Sequence, residues 1–114
     1  MIDLPDNDLI LIHEILKYHI PEYMVLAFGS RVTGRAKPWS DLDLAIDTTA
    51  PVPLGRLGRL REALEESPVS IRVEILDLAR TARNFRDMIT SESEVLQEGT
   101  GSQAPRATSS PPPA

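Results

Sequence analysis

Read as apolar and polar positions, the chain falls into six structured segments ahead of a polar tail. Leu9, Ile12, Leu16 and Ile20 recur at helical spacing, with Ile15 broadening the stripe and Glu14 and Lys17 on the other face. The pattern predicts a helix N-capped by Asp6 or Asn7, with Pro5 just outside and Asp8 placed to favour the helix dipole. It should end near His19, because Pro21 disfavours helical geometry at Ile20. Tyr23 to Phe28 is a short apolar run closed by Gly29, as suits a buried strand. Ser30 then starts a short helical turn that Gly34 stops, and Arg35 to Ser40 is a polar loop containing Pro38. From Asp41 to Asp47 acidic and apolar residues alternate, so Leu42, Leu44 and Ile46 share one strand face and Asp41, Asp43 and Asp47 the other. After a connection with two prolines, Leu57, Leu60 and Leu64 mark a second helix over Leu54 to Glu66, which Ser67-Pro68 breaks. Val69 to Leu78 reads as a third strand, with Ile71, Val73 and Ile75 on one face and Arg72, Glu74 and Leu76 on the other. Arg80 to Leu96 reads as a last amphipathic helix contacting the core through Phe85, Met88, Ile89 and Leu96.

Composition divides the chain into a single domain, residues 1–98, and a tail. From Gly99 to Ala114, Gly, Ser, Thr, Gln and Pro dominate, which predicts a disordered segment with almost nothing to bury. An ordered part of about 95 residues is too small for a catalytic sheet plus a separate acceptor-binding domain. Twelve Lys and Arg against 17 Asp and Glu give a net charge of −5. That balance argues against direct nucleic-acid binding, which relies on cations that neutralise phosphates. With no cysteine, disulfides and Cys-ligated zinc are excluded. No apolar stretch approaches the roughly 18 residues of a membrane span, and the acidic N-terminus lacks a signal peptide's basic flank, so a soluble, cytoplasmic protein without membrane contact is expected. His13 and His19 are six apart and point in different directions on their helix, which places them on its surface rather than around a metal.

The chemistry concentrates between Phe28 and Asp47. Asp41 and Asp43 lie two apart on one strand face, with about 6.6 Å between their Cα atoms. Two carboxylates 4 Å apart repel by roughly 4 kcal/mol at an effective dielectric near 20, and a divalent cation between them reverses the sign. Oxygen-only ligands suit Mg²⁺ or Mn²⁺. Standing alone, the pair reads equally well as a solvated strand face. Gly29 lets another group approach the backbone, and Ser30 offers a hydroxyl at the start of a helical turn; together they form a phosphate seat or an ordinary cap. Arg31, Arg35 and Lys37 supply positive charge over a polyphosphate, though each singly reads as solvated loop charge. Glu74 is a candidate third carboxylate, able to hold a second ion or help deprotonate an attacking hydroxyl, or else a surface glutamate. Asp77 points elsewhere and reads as a turn residue.

Taken together, Gly29-Ser30, ten residues and Asp41-x-Asp43 resemble the signature of the minimal nucleotidyltransferases (MNT) of the polymerase β superfamily. The similarity continues through Ser40-Asp41-Leu42-Asp43-Leu44, Arg72-Val73-Glu74-Ile75-Leu76-Asp77 and Phe85-Arg86-Asp87-Met88-Ile89, nearly the whole chain before the tail. The resemblance implies an α/β (α+β) fold of the polymerase β-like nucleotidyltransferase type, a small mixed sheet flanked by helices. It implies a triphosphate site at Gly29, Ser30, Arg31 and Arg35. It further implies Mg²⁺, as two ions with Mn²⁺ as a substitute, held by Asp41, Asp43 and Glu74 as metal-binding and catalytic residues. The substrate it implies is a nucleoside triphosphate, ATP, and the partner a HEPN-domain protein. Two positions depart from the family pattern: Glu74 stands where Asp is usual, and Val32-Thr33-Gly34 stands where many members have Ala-Arg-Gly. Two expectations follow. The first is a Mg²⁺-dependent transfer of AMP from ATP to a hydroxyl, a tyrosine of a HEPN toxin, by an antitoxin. The second is a catalytically weak nucleotide-binding subunit that neutralises or completes its HEPN partner by binding alone.

Overall fold

The computed structural model describes residues 2–100, so the expected disordered segment from residue 101 onward lies outside the described residues. Along the chain come helix α1 (Asp6–His19), strand β1 (Met24–Phe28), short helix α2 (Ser30–Thr33), strand β2 (Leu42–Asp47), helix α3 (Leu54–Glu66), strand β3 (Val73–Asp77), a 3₁₀ turn (Leu78–Arg80), helix α4 (Arg83–Ser91) and strand β4 (Glu94–Gln97). The four strands form one mixed sheet in the order β3-β2-β1-β4. Strand β1 is antiparallel to both β2 and β4, while β2 and β3 are parallel. A parallel pair needs a crossover, and α3 supplies it.

The two faces of the sheet are covered unequally. Val25, Ala27, Leu42, Leu44, Ile46 and Ile75 form the main core with Ile12 and Leu16 of α1 and Leu57, Leu60 and Leu64 of α3. The opposite face holds only a small cluster, Leu26, Ala45, Leu78 and Ile89, under α4. At nine residues α4 is short, and it crosses this face over β1, with Phe85 against Phe28. Among the described residues, no helix is long and apolar enough to cross a membrane.

The structure departs from the sequence expectations at four places. Helix α1 begins at Asp6 with Pro5 in the capping position and no side-chain cap. Pro5 has no side-chain acceptor; it contributes a fixed φ and a carbonyl that takes the Leu9 amide at 3.0 Å. Asp8 is buried, and its carboxylate accepts hydrogen bonds from the amide and hydroxyl of Ser70, tying α1 to the loop before β3. Strand β3 starts at Val73 rather than Val69, because the ladder opens where Leu42 of β2 meets Val73 and residues 69–72 have no strand beside them.

The largest departure is at 80–96, where a single helix was expected. Helix α4 stops at Ser91, and Glu94–Gln97 instead pairs with β1 as an edge strand, with a register irregularity opposite Val25 and Leu26. The Thr90, Ser91 and Ser93 hydroxyls donate to carbonyls of the preceding turn, the local competition by which such side chains end helices. Ile89 and Leu96 are buried as expected, but Leu96 from a strand; Phe85 and Met88 remain partly exposed. Beyond β4 the chain stays docked past residue 98. Thr100 donates from its amide and hydroxyl to the Pro21 carbonyl at 3.1 and 3.0 Å. Gly99 lies so close that a Cβ there would come within 2.5 Å of the Glu22 carbonyl oxygen.

Asp77 closes β3 as a buried junction. Its carboxylate accepts from the Val52 amide at 2.8 Å and the Arg80 amide at 3.0 Å, and pairs with the Arg80 guanidinium. Asp77→Ala strands the buried Val52 amide and unpairs Arg80, so a loss of about 3 kcal/mol is expected in urea unfolding, with an unchanged slope. Asp77→Asn, which keeps one acceptor, should lose less.

Candidate active site

The acidic residues gather on the second face of the sheet, the one away from α1 and α3. Asp43 of β2 lies in register between Phe28 of β1 and Glu74 of β3. Neighbouring strands are about 4.8 Å apart, so the Asp43 and Glu74 side chains stand next to one another on the face that α1 and α3 do not cover. Asp41 immediately precedes the strand. Burial first, then the charges of Asp41 and Glu74, push the Asp43 carboxyl above its usual value of 3.8. Asp43 therefore feels both acidic neighbours: Asp41 from its own strand face, as the alternation predicts, and Glu74 across the ladder from β3.

They do not close into a finished cage. Among the described residues, no group of three His, Cys, Asp or Glu side chains is close enough to hold an ion by itself. Glu74 is half exposed and paired with Arg72 at 2.6 Å. Such an exposed pair is worth about 0–1 kcal/mol and is readily exchanged for another partner. A cleft of about 70 Å³ lies between Phe28, Asp43, Glu74 and Leu76. At roughly 30 Å³ per water it admits about two waters or a small ion, and leaves a nucleotide across its mouth. Hard oxygen donors, a destabilised carboxylate and a small cleft fit Mg²⁺, which keeps several waters and completes its shell with phosphate oxygens.

Gly29 makes this closeness possible. Its φ of +85° and ψ of −160° fall in a region open essentially to glycine alone. A Cβ there would also come within 2.5 Å of Asp43 Oδ2. The backbone thus reaches the carboxylate without a side chain between them. The Gly29 carbonyl then takes the amides of Val32 and Thr33 at 3.0 and 3.1 Å, and the Ser30 carbonyl takes that of Arg35 at 3.1 Å. Gly34, left-handed, ends the turn as expected. Ser30 follows Gly29 as the first residue of α2, and Arg35 lies exposed at the start of the following loop.

Arg31 is the residue that the structure removes from the expected phosphate site. It is 4% exposed, and its guanidinium is committed to main-chain carbonyls. Nε donates to Ser40 at 2.9 Å, Nη1 to Asp3 at 2.8 Å, and Nη2 to Lys37 and Pro38 at 3.3 and 3.1 Å. Hydrogen bonds to a charged group contribute about 1.5–3 kcal/mol each, so turning outward to a phosphate would forfeit several and strand the carbonyls. Sequence spacing put Arg31 and Arg35 together on a helix face, but α2 is a single turn and the two diverge.

Other neighbours of the site were not legible as such. Phe85 of α4 meets Phe28 edge-on at 6.4 Å between ring centres, giving the acidic cleft an aromatic wall. Its helical stripe marked it as a contact, but only the crossing of α4 over β1 brings it to Phe28. Arg72 was noted as sharing a face with Glu74; its ion pair required the structure.

Comparison with known proteins agrees with this geometry. The polymerase beta nucleotidyltransferase family matches residues 6–100. The chain is 43% identical over 97 residues to the probable protein adenylyltransferase MntA of Haemophilus influenzae, covering 85% of each. Its fold matches a crystal structure of a toxin–antitoxin with AMP-PNP at a TM-score of 0.66, with 20% identity over 81% of this chain and 74% of that one. It also matches the structure of a tri-AMPylated Shewanella oneidensis HEPN toxin in complex with an MNT antitoxin at a TM-score of 0.60, with 20% identity over 82% of this chain and 71% of that one. At these identities the two structures speak for a shared fold.

Two predictions test the electrostatics and the close approach. Because the folded state raises the Asp43 pKa, it binds that proton more tightly than the unfolded chain does. Stability therefore falls as pH rises from 3.8 through the raised value, and stays lowered above it. Asp43→Asn should melt higher than wild type at neutral pH without metal, with the gap closing toward pH 4. Adding Mg²⁺ with nucleotide should raise the wild-type midpoint and leave the variant's unchanged. Gly29→Ala, strained in φ and with its Cβ against Asp43, should destabilise the fold by about 1–3 kcal/mol in urea unfolding and weaken nucleotide binding in calorimetric titration.

Proposed function

The chain belongs to the polymerase beta nucleotidyltransferase family and is a nucleotidyltransferase; from that footing we propose that it moves AMP from ATP onto a tyrosine hydroxyl of a HEPN-domain toxin and so acts as its antitoxin. The observation that carries this reading is Asp43: a carboxylate pushed out of its ordinary range by burial and by two like charges, with a bare glycine backbone against it. Such a group is costly to the apo fold and becomes favourable once a divalent cation and a polyphosphate arrive. The 43% identity to a protein adenylyltransferase supports AMP as the transferred group.

In this reading Asp41 and Asp43 hold Mg²⁺, and Glu74, released from Arg72, is the third ligand or the base for the acceptor. The metal would supply charge neutralisation on the triphosphate. Ser30 positions phosphate oxygens with its hydroxyl, and Arg35, with Lys37 further along the loop, offers cations above them. The acceptor oxygen attacks the α-phosphorus in line as its proton passes to Glu74. The bond from the α-phosphorus to the bridging oxygen breaks, and pyrophosphate leaves with that oxygen's electron pair. The products are an AMP ester of the acceptor and pyrophosphate.

A second reading, a subunit that neutralises its partner by binding alone, is favoured by the Glu74–Arg72 pair and by Thr33, which carries no cation where many family members have Arg. Incubation with the HEPN partner, Mg²⁺ and ATP labelled at the α-phosphate separates them. Transfer predicts label on a partner tyrosine, none from γ-labelled ATP, and a loss of at least about 100-fold in Asp43→Asn. Full neutralisation of the toxin without label would leave only the binding reading.

A further inference from the structure

We propose that Arg31 is a positioning residue that sets Asp41 against Gly29-Ser30 by fixing the loop between them; the proposal rests on the nucleotidyltransferase reading of the site. Ser30 and Asp41 stand at the two ends of a connection that leaves β1 and returns as β2. Between the end of α2 and the start of β2 this connection has no regular secondary structure. Left to itself, such a loop would let Asp41 wander relative to Ser30. The residue directly after Ser30 prevents this.

Arg31 reaches across the connection and donates to the carbonyls of Lys37, Pro38 and Ser40, the last of these immediately before Asp41. A planar guanidinium with five donors in a rigid fork can meet several carbonyls at once, which a lysine ammonium cannot do in this geometry. The loop folds onto itself around this anchor. The Ser40 hydroxyl accepts the Lys37 amide at 2.9 Å, and the Ser40 amide donates to the Lys37 carbonyl at 3.0 Å. A second arm fastens the anchor from behind. Arg31 Nη1 donates to the Asp3 carbonyl, and the Asp3 amide donates back to the Arg31 carbonyl at 2.7 Å. The N-terminal lead-in is thereby part of the same brace. Downstream, the Leu42 amide donates to the Arg72 carbonyl at 2.9 Å, so Asp41 is held on both sides. Arg31 touches no reacting atom; it acts through the main chain of the residue next to a carboxylate ligand.

The chain carries its own reporter of this loop. Its single tryptophan, Trp39, is 76% exposed in the braced segment, with Lys37 Nζ 5.9 Å from the ring centre. In Arg31→Gln, the steady-state fluorescence anisotropy of Trp39 should fall as the loop gains motion. The Mg²⁺ concentration giving half-maximal transfer should increase about tenfold, as when a group supporting a metal ligand is lost. The turnover number should fall about 100-fold, and KM for ATP at saturating Mg²⁺ should stay within about twofold. Far-UV dichroism and melting temperature are read alongside. A lowered melting temperature with unchanged Mg²⁺ dependence and turnover below it would overturn the proposal in favour of a purely structural brace. A raised KM for ATP with unchanged Trp39 anisotropy and turnover would overturn it in favour of a phosphate contact. If Arg31→Gln does not fold, Pro38→Gly loosens the same exposed loop with Arg31 intact and should move the Mg²⁺ dependence and Trp39 anisotropy in the same direction; no movement in either would overturn the proposal. If the wild type transfers nothing, the functional reading fails by itself. Mn²⁺ titration in the presence of ATP, followed by Trp39 emission, still decides the positioning role: weaker Mn²⁺ binding in Arg31→Gln supports it, and equal binding overturns it.

Discussion

Repulsion of the Asp43 charge by Asp41 and Glu74 is the constraint around which the acidic face of the sheet is arranged. Parallel pairing of β2 with β3 sets Asp43 beside Glu74, and burial raises the cost of its charge. A fold tolerates such a cluster only if the rest of the domain is held firmly enough to keep the groups from separating. The main core on the opposite face supplies that firmness, since the same two strands are anchored there by Leu42, Leu44, Ile46 and Ile75. Alternation along a strand therefore binds stability and chemistry together: the residues that repel and the residues that pack belong to one backbone, one position apart.

Polar side chains, used one at a time against the main chain, do most of the remaining work of holding loops. Asp8 takes the amide and hydroxyl of Ser70, Asp77 takes the Val52 and Arg80 amides, and Arg31 takes four carbonyls. Arg56 pairs with Glu22, donates to the His19 carbonyl and lies over the Tyr23 ring, fastening α3 to the turn between α1 and β1. Each satisfies backbone groups that a connection near the core would otherwise leave without partners. These tethers share a logic with the site. A charged side chain is buried where it orders a loop, and left in solvent, as with Arg35 and Lys37, where it can meet a ligand.

Much of the fold was legible along the chain. The stripe through Ile12 and Leu16, the alternation from Leu42 to Asp47 and the break at Ser67-Pro68 mark α1, β2 and the end of α3, because burial on one side imposes a period that local sequence must obey. The same rule placed Asp43 and Glu74 on one face, away from α1 and α3. It failed at 80–96, where Val95 and Leu96 fit a helical stripe as well as an edge strand. Which they adopt depends on β1 having a free edge for them, and that is a property of the assembled sheet.

The residue types and spacings by themselves marked a Gly-Ser turn, an Asp-x-Asp strand and the main helices; the mixed sheet that sets the two motifs side by side was implied only by the family resemblance and is seen in the fold. Local periodicity and a close-approach glycine are written in consecutive residues. Only the tertiary structure decided what the arginines do. Arg31 and Arg35, four residues apart, look alike as a motif, yet one faces a closed ring of carbonyls and the other faces solvent. The difference arises because a guanidinium goes where unsatisfied acceptors are, and acceptors from residues 3, 37, 38 and 40 converge on Arg31 only once the loop and the N-terminal lead-in have folded over it.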